Sequence, residues 1–269
     1  MIDIGHPRGT AAPPAVQTRT LAGQPRQAVR LDRHLLMLVT AGRGEHQIDF
    51  ARYACRAGTL LWARPGQVAG FSGQPGLDAV LVTWPVGYLP ELPGAPDDPF
   101  GPVCWQLAGE DEDAVIDEVS QLVVDSRRYR GSAAQDLLRH QLATLVLRVS
   151  MVRPVDEYPG SAAEVDAFVR FRREVERGFA ESRQVAEYAD RLRCSVRTLT
   201  RACLAVTGRS AKQVVDDRVV LEAKRLLACT DLPAGTIAQR LGFPEQTHFG
   251  RLFHRTAGCP PGTFRARHA

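Results

Sequence analysis

"YADRLRCSVRTLTRACLAVTGRS", Tyr188 to Ser210, opens with a pentapeptide that returns as "IAQRL" at Ile237 to Leu241. Each copy leads through a short turn into another apolar-striped segment, so a duplicated helix, turn and helix is the simplest account. In the first copy Ser182 is placed to cap a helix from Gln184 to Leu192, Arg193 and Cys194 turn the chain, and Ser195 caps a second helix reaching Thr207. Val196, Leu199, Cys203 and Val206 share one stripe of that second helix, which leaves Arg197, Thr200 and Arg201 projecting near its N-terminal half. In the second copy Pro233 opens a helix to Leu241, where its missing N–H costs least. Gly242 and Phe243 make the turn. The next helix, Pro244 to Thr256, buries Phe249 and Phe253 and presents Gln246, Thr247, Gly250 and Arg251, with Arg251 in the place that Arg201 holds in the first copy.

Between the copies, Ser210 to Ala228 carries Val215, Val219, Ala223 and Leu226 in one stripe, a single helix that would hold both units rigidly. Ser161 and Glu164 have the S-x-x-E spacing of a capping box, and a domain is expected to begin there. Residues 161–269 hold 19 Lys and Arg against 12 Asp and Glu, whereas residues 1–160 hold 15 against 18. A basic module attached to a mildly acidic one suits a chain of which only one half meets phosphate. Polar side chains at the start of a helix can reach base edges in a major groove, and two such helices fixed on one face would enter groove segments about 34 Å apart. The partner so implied is double-stranded DNA.

The segments "RTLTRACLAVTGRS", "RVVLEAKRLLACTDL" and "IAQRLGF…THFGRLFHRTAGCPPGTFR", with Gly258, Pro261, Phe264 and Arg265, resemble the DNA-binding domain of the AraC/XylS family over essentially all of residues 165–266. The resemblance implies a seven-helix domain with base contacts from Arg197, Thr200, Arg201, Gln246, Thr247 and Arg251. Two residues depart from it. Arg193 stands where a glycine is common in the first turn, which φ below zero would accommodate, and Gly250 lies inside the second recognition helix at a cost of about 1 kcal/mol relative to Ala.

In the N-terminal half, residues 1–27 are rich in Pro, Gly, Ala and Arg without period and are read as a flexible arm. Extended runs at His34 to Val39, Thr59 to Trp62 and Ala79 to Trp84 alternate with Gly and Pro punctuation, and Gly42 and Gly44 mark a hairpin, the rhythm of a small antiparallel barrel or sandwich. Arg33 to Phe71, through Gly42, Gly44, Gly58 and Pro65-Gly66-Gln67, resembles the cupin-like effector domain of the same family. The expected fold class is therefore α+β: a cupin-like β-barrel (28–109), two following helices (110–152), a linker (153–160), and an all-α domain with two helix-turn-helix units (161–269). The two helices serve either dimerisation or the barrel's core. His34, His46 and Trp62 are the candidate effector contacts. Trp62, Trp84, Phe50 and Tyr53 could line an apolar pocket or form ordinary core.

No apolar stretch reaches the ~18 residues a membrane span needs, and Met1 to Thr20 lacks the pattern of a secretory signal, so a cytoplasmic protein is expected. The six cysteines show no C-x-x-C pair and read as buried thiols. A metal-dependent cupin enzyme would supply a close His-x-His pair with further ligands, but His34 and His46 are separated by a turn. No nucleophile elbow, phosphate loop or H-E-x-x-H is present, so no catalytic residue, metal or cofactor is assigned. The reading is a ligand-responsive regulator, by resemblance an activator that contacts RNA polymerase and forms a homodimer. Its rivals are a cupin enzyme tethered to DNA and a ligand-independent DNA-binding protein.

Overall fold

The computed structural model describes residues 15–22, 26–71, 76–90, 101, 103–152 and 159–268. Residues 1–14 of the expected arm and 153–158 of the expected linker lie outside them. Strands β1 (Gln17–Ala22), β2 (Arg26–Arg30), β3 (Arg33–Ala41), β4 (Arg43–Ile48), β5 (Ala51–Arg56), β6 (Thr59–Ala63), β7 (Val68–Phe71), β8 (Asp78–Pro85) and β9 (Cys104–Gln106) come first. They form a five-stranded sheet, β1-β8-β3-β6-β9, and a four-stranded sheet, β2-β7-β4-β5, with antiparallel pairing throughout.

Strand β3 shows why the run from His34 to Val39 is apolar on both faces. Leu35, Met37 and Val39 pack between the sheets with Ile48, Cys55 and Ala69, while Leu36 and Leu38 turn to the opposite side. There α1 (Glu110–Arg128) and α2 (Ser132–Met151) lie across the five-stranded sheet, burying Val115, Val119, Leu122, Leu138, Leu142 and Leu145 against it. Their apolar faces are thus core. A run apolar at every position is what a strand covered on both sides requires.

Residues 17–22 and 26–27 were expected in a flexible arm and are strand instead. Strand β1 runs beside β8 from Gln17 opposite Thr83 to Ala22 opposite Asp78, and Val16 and Leu21 are buried. An edge strand is ordered chiefly by the backbone ladder on its one paired side, so its side chains carry little periodic signal.

The C-terminal half is helical: α3 (Ala162–Gly178), α4 (Val185–Arg191), α5 (Val196–Thr207), α6 (Ala211–Cys229), α7 (Ala234–Arg240), α8 (Gln246–Ala257) and α9 (Pro261–His268). These are the seven helices the resemblance implies. Ser161 and Ser210 head complete capping boxes with Glu164 and Gln213, and Ser195 accepts from the Thr198 N–H. Ser182 differs from expectation: its hydroxyl accepts the Gln184 N–H at 3.1 Å and its carbonyl accepts the Tyr188 hydroxyl at 2.7 Å, so it shapes the entry to α4 without capping it. Helix α8 begins two residues later than expected because Glu245 is held extended at φ −130°. Helix α6 serves both units, with Ala211 and Val215 in the first unit's core and Val219 to Leu227 in the second's.

Candidate nucleic-acid interface

The two units repeat at the level of individual hydrogen bonds. Leu192, Arg193 and Cys194 donate to the carbonyls of Tyr188, Asp190 and Ala189, and Leu241, Gly242 and Phe243 donate to those of Ile237, Gln239 and Ala238. Leu199, Ala202 and Cys203 of α5 are buried in the same pattern as Phe249, Leu252 and Phe253 of α8, and both helices end on a left-handed glycine, Gly208 and Gly258. The second unit carries one more residue in its turn.

The turn also corrects one expectation. Arg193 adopts φ 52°, beside φ 72° at Gly242, so the first turn uses the left-handed region that glycine tolerates and arginine does not. Arg193→Gly is therefore expected to stabilise the chain by roughly 0.5–1 kcal/mol. Urea unfolding of both proteins checks this, and an unchanged or lowered midpoint would contradict it.

Arg197, Arg201, Gln246, Thr247 and Arg251 are exposed, and Thr200 is half-buried, all on the outer faces of α5 and α8. Among the described residues, Arg197, Arg201 and Arg251 form no ion pair, which leaves three guanidinium groups directed to solvent on paired helices. Around Gly250 an added Cβ would meet open space, so its surface is clear for close approach. Arg265, part of the sequence resemblance, points inward: it donates to the Leu227 carbonyl at 3.3 Å and also to that of Leu232, closing the end of α6.

A second set of residues joins the halves of the molecule. The β4–β5 turn places Asp49 and Phe50 at φ 51° and 67°, and both side chains reach into the helical domain. Asp49 grips the Arg225 guanidinium of α6 at 2.9 Å (Nε–Oδ1) and 2.7 Å (Nη2–Oδ2), and its oxygens also accept the Val68 N–H and the Gln67 amide. Glu222 lies 3.3 Å from Arg225, 3.4 Å from Arg218 and 2.7 Å from Arg30 of β2. Burial opposes the charge on Arg225, but the Asp49 hydrogen bonds and the nearby carboxylates hold its pKa above the ordinary value. Phe50 packs edge-on against Phe264 and His268, at 5.2 and 5.3 Å between centroids. Sequence reasoning missed this contact. Its trace was the i, i+4, i+7 spacing of Arg218, Glu222 and Arg225, a charged stripe on a helix with little exposed surface.

Of the three candidate effector contacts, His34 and Trp62 are brought together and His46 lies apart from them. The Trp62 indole N–H donates to His34 Nδ1 at 3.3 Å and His34 stacks on Trp84 at 5.0 Å, on the side of the five-stranded sheet covered by α1 and α2. His46 belongs to the other sheet, opposite Tyr53, and is 1 % exposed. Tyr53 packs in the core between the sheets, whereas Phe50 joins the core of the second unit.

Burial lowers the His46 pKa from 6.5 to about 4. The unfolded chain binds a proton as the pH falls through 6.5, while folded His46 stays neutral until about 4, so stability present above 6.5 is lost on acidification. By pH 5 this is about 2 kcal/mol. His46→Phe should flatten that part of the stability curve between pH 7 and 5 in urea titrations; an equally steep loss in the variant would place the acid sensitivity elsewhere.

Two duplicated helix-turn-helix units on a shared helix, with exposed arginines at equivalent positions, behind a β-domain, define a DNA-binding transcription regulator. A family model described as a helix-turn-helix domain matches residues 188–267, and one described as an AraC-like ligand binding domain matches residues 15–78. The chain belongs to the AraC family of transcription regulators, a family of regulators and not of enzymes. It is 25% identical over 248 residues to the HTH-type transcriptional activator RhaS of Shigella boydii, covering 87% of this chain and 85% of that one. It is 23% identical over 238 residues to the arabinose operon regulatory protein of Salmonella typhimurium, covering 87% and 83%. A solved structure of ToxT from Vibrio cholerae O395 is similar at TM-score 0.47 and 11% identity, covering 95% of this chain and 98% of that chain.

Proposed function

We propose that this regulator is effector-responsive and reads promoter DNA with α5 and α8, through Arg197, Thr200 and Arg201 of the first unit and Gln246, Thr247 and Arg251 of the second. The observation that carries the reading is the pair of solvent-directed arginines, Arg201 and Arg251, at matching positions of helices whose opposite faces are buried alike. Residues 15–152 form the effector domain and 161–269 the DNA-binding domain. By analogy with RhaS, which is named an activator, the chain activates transcription in the cytoplasm by contacting RNA polymerase. No helix among the described residues is long and apolar enough to cross a membrane. A homodimer would use the outer faces of α1 and α2, where Val124, Leu137, Leu147 and Met151 are exposed, because the inner faces are spent on the barrel. A metal-dependent cupin enzyme would need converging donors, and His34 and His46 lie on different sheets facing different surroundings.

Genome-wide capture of DNA by the purified full chain tests the reading. Two short sequence blocks about one helical turn apart are expected in the captured fragments. Unselective capture that vanishes at moderate salt would reduce the interaction to backbone attraction and sink the proposal. Within a captured site, Arg201→Ala should cost about 1–3 kcal/mol and relax base preference at one position. Uniform weakening on all sequences, with a salt slope lower by about one, would instead make Arg201 a phosphate contact.

A further inference from the structure

Val196 opens α5 and departs from the pattern of the helix it begins. The periodicity that sends Leu199, Cys203 and Val206 into the first unit's core predicts Val196 there as well, yet its side chain is 43% exposed and is not among those that form that core. Its place at the helix end is the reason. Cα–Cβ bonds tilt toward the N-terminus of a helix, so a first-turn side chain overhangs the end instead of packing along the body. Ser195 fixes that end: its hydroxyl accepts the Thr198 N–H at 3.0 Å and its backbone is extended, at φ −82° and ψ 151°. The duplication supplies a second observation. Helices α5 and α8 each run 12 residues and end on a left-handed glycine. Leu199 therefore corresponds to Phe249, Arg201 to Arg251, and Val196 to Gln246, which is also exposed.

We propose that Val196 is a specificity-determining residue of the first unit and reads a thymine through its C5-methyl group. The inference rests on α5 being a recognition helix and adds a base to what that helix selects. A recognition helix presents its N-terminal residues to base edges, and Val196 stands at that end, one residue before Arg197. Major-groove edges carry hydrogen-bond donors and acceptors at every base pair, and the thymine methyl is the apolar group among them. A valine side chain has neither donor nor acceptor. Set against an exocyclic amine, a keto oxygen or a phosphate, it would strip water from a polar group and give nothing in return. Against a methyl group it removes apolar surface of both partners from water. At one structural position, then, the two units select differently: the amide of Gln246 suits adenine, whereas Val196 selects thymine. The two blocks of the site differ accordingly, and one chain binds it in one orientation.

The test uses the full chain and a captured DNA site in which each thymine in turn is replaced by deoxyuridine, which removes the methyl group and leaves every hydrogen-bonding group in place. Dissociation constants are measured by fluorescence anisotropy at one salt concentration. For the natural sequence, replacing one thymine should weaken binding about three- to tenfold. Val196→Ala should bind the unaltered site more weakly by a similar factor and lose nothing further at that deoxyuridine, while the other replacements act as before. The exposed position and the helix propensity of alanine keep the fold of this variant intact. If no thymine shows a methyl penalty that Val196→Ala abolishes, the proposal is overturned. Arg201→Ala on the same site separates the failures. Relaxed base preference in Arg201→Ala, alongside that result, removes only the Val196 contact, whereas unchanged base preference in both variants removes α5 as a recognition helix. Captured fragments without a shared motif remove both.

Discussion

Asp49→Asn should weaken the docking of the barrel on the helical domain by about 3 kcal/mol, the low end of the cost of breaking a buried ion pair from one side. The substitution keeps the shape of the side chain and its tolerance of the left-handed conformation at φ 51°, so it isolates the charge. The Arg225 side chain is 9% exposed and would keep Glu222 at 3.3 Å while losing the carboxylate charge and one of its two bonds to residue 49, since an amide offers a single acceptor oxygen. Penalties of this kind arise because the remaining guanidinium stays out of water without its best acceptor. Differential scanning calorimetry should show the two domains unfolding together in the natural chain and as separated transitions in the variant. An undivided transition at the original temperature would mean that Phe50, packed on Phe264 and His268, and the Arg30–Glu222 pair carry the docking without the Asp49 charge. The variant also probes function, because weakened docking alters the orientation in which α5 and α8 are presented to DNA.

Gly242→Ala should destabilise the helical domain by about 3 kcal/mol, from two causes. A non-glycine residue at φ 72° costs about 1–2 kcal/mol. The added Cβ would also stand 2.5 Å from the Ala180 carbonyl oxygen, so backbone must move, at a further cost of about 1–3 kcal/mol. A drop in melting temperature of roughly 12–24 °C is expected for a domain of this size. The sign opposes that of Arg193→Gly at the equivalent turn, which makes the two substitutions controls for each other. If Gly242→Ala melted unchanged, the close approach of the second turn to the end of α3 would be wrong.

The all-α half was almost fully legible in its residues. The duplicated pentapeptide, the serine caps at Ser161, Ser195 and Ser210, and the apolar stripes of α5, α6 and α8 are local signals, because a helix is specified by residues within a few positions of each other. The outward placement of Arg197, Arg201, Gln246, Thr247 and Arg251 followed from the same periodicity. Less legible was β1, whose order comes from its ladder with β8, and Arg193, whose positive φ is imposed by a turn geometry shared with Gly242.

By itself, then, the sequence determined the class of fold, the order of its elements and the faces they present, since those depend on periodicity and capping. Only the tertiary structure decided that α1 and α2 bury their stripes on the barrel, that His34 and His46 face different surroundings, and that Asp49 meets Arg225 at a separation of 176 residues. Periodicity tells which face of an element is covered and is silent about what covers it. A contact between a hairpin turn and a distant helix is chosen by the packing of whole domains, and leaves no pattern in either segment alone.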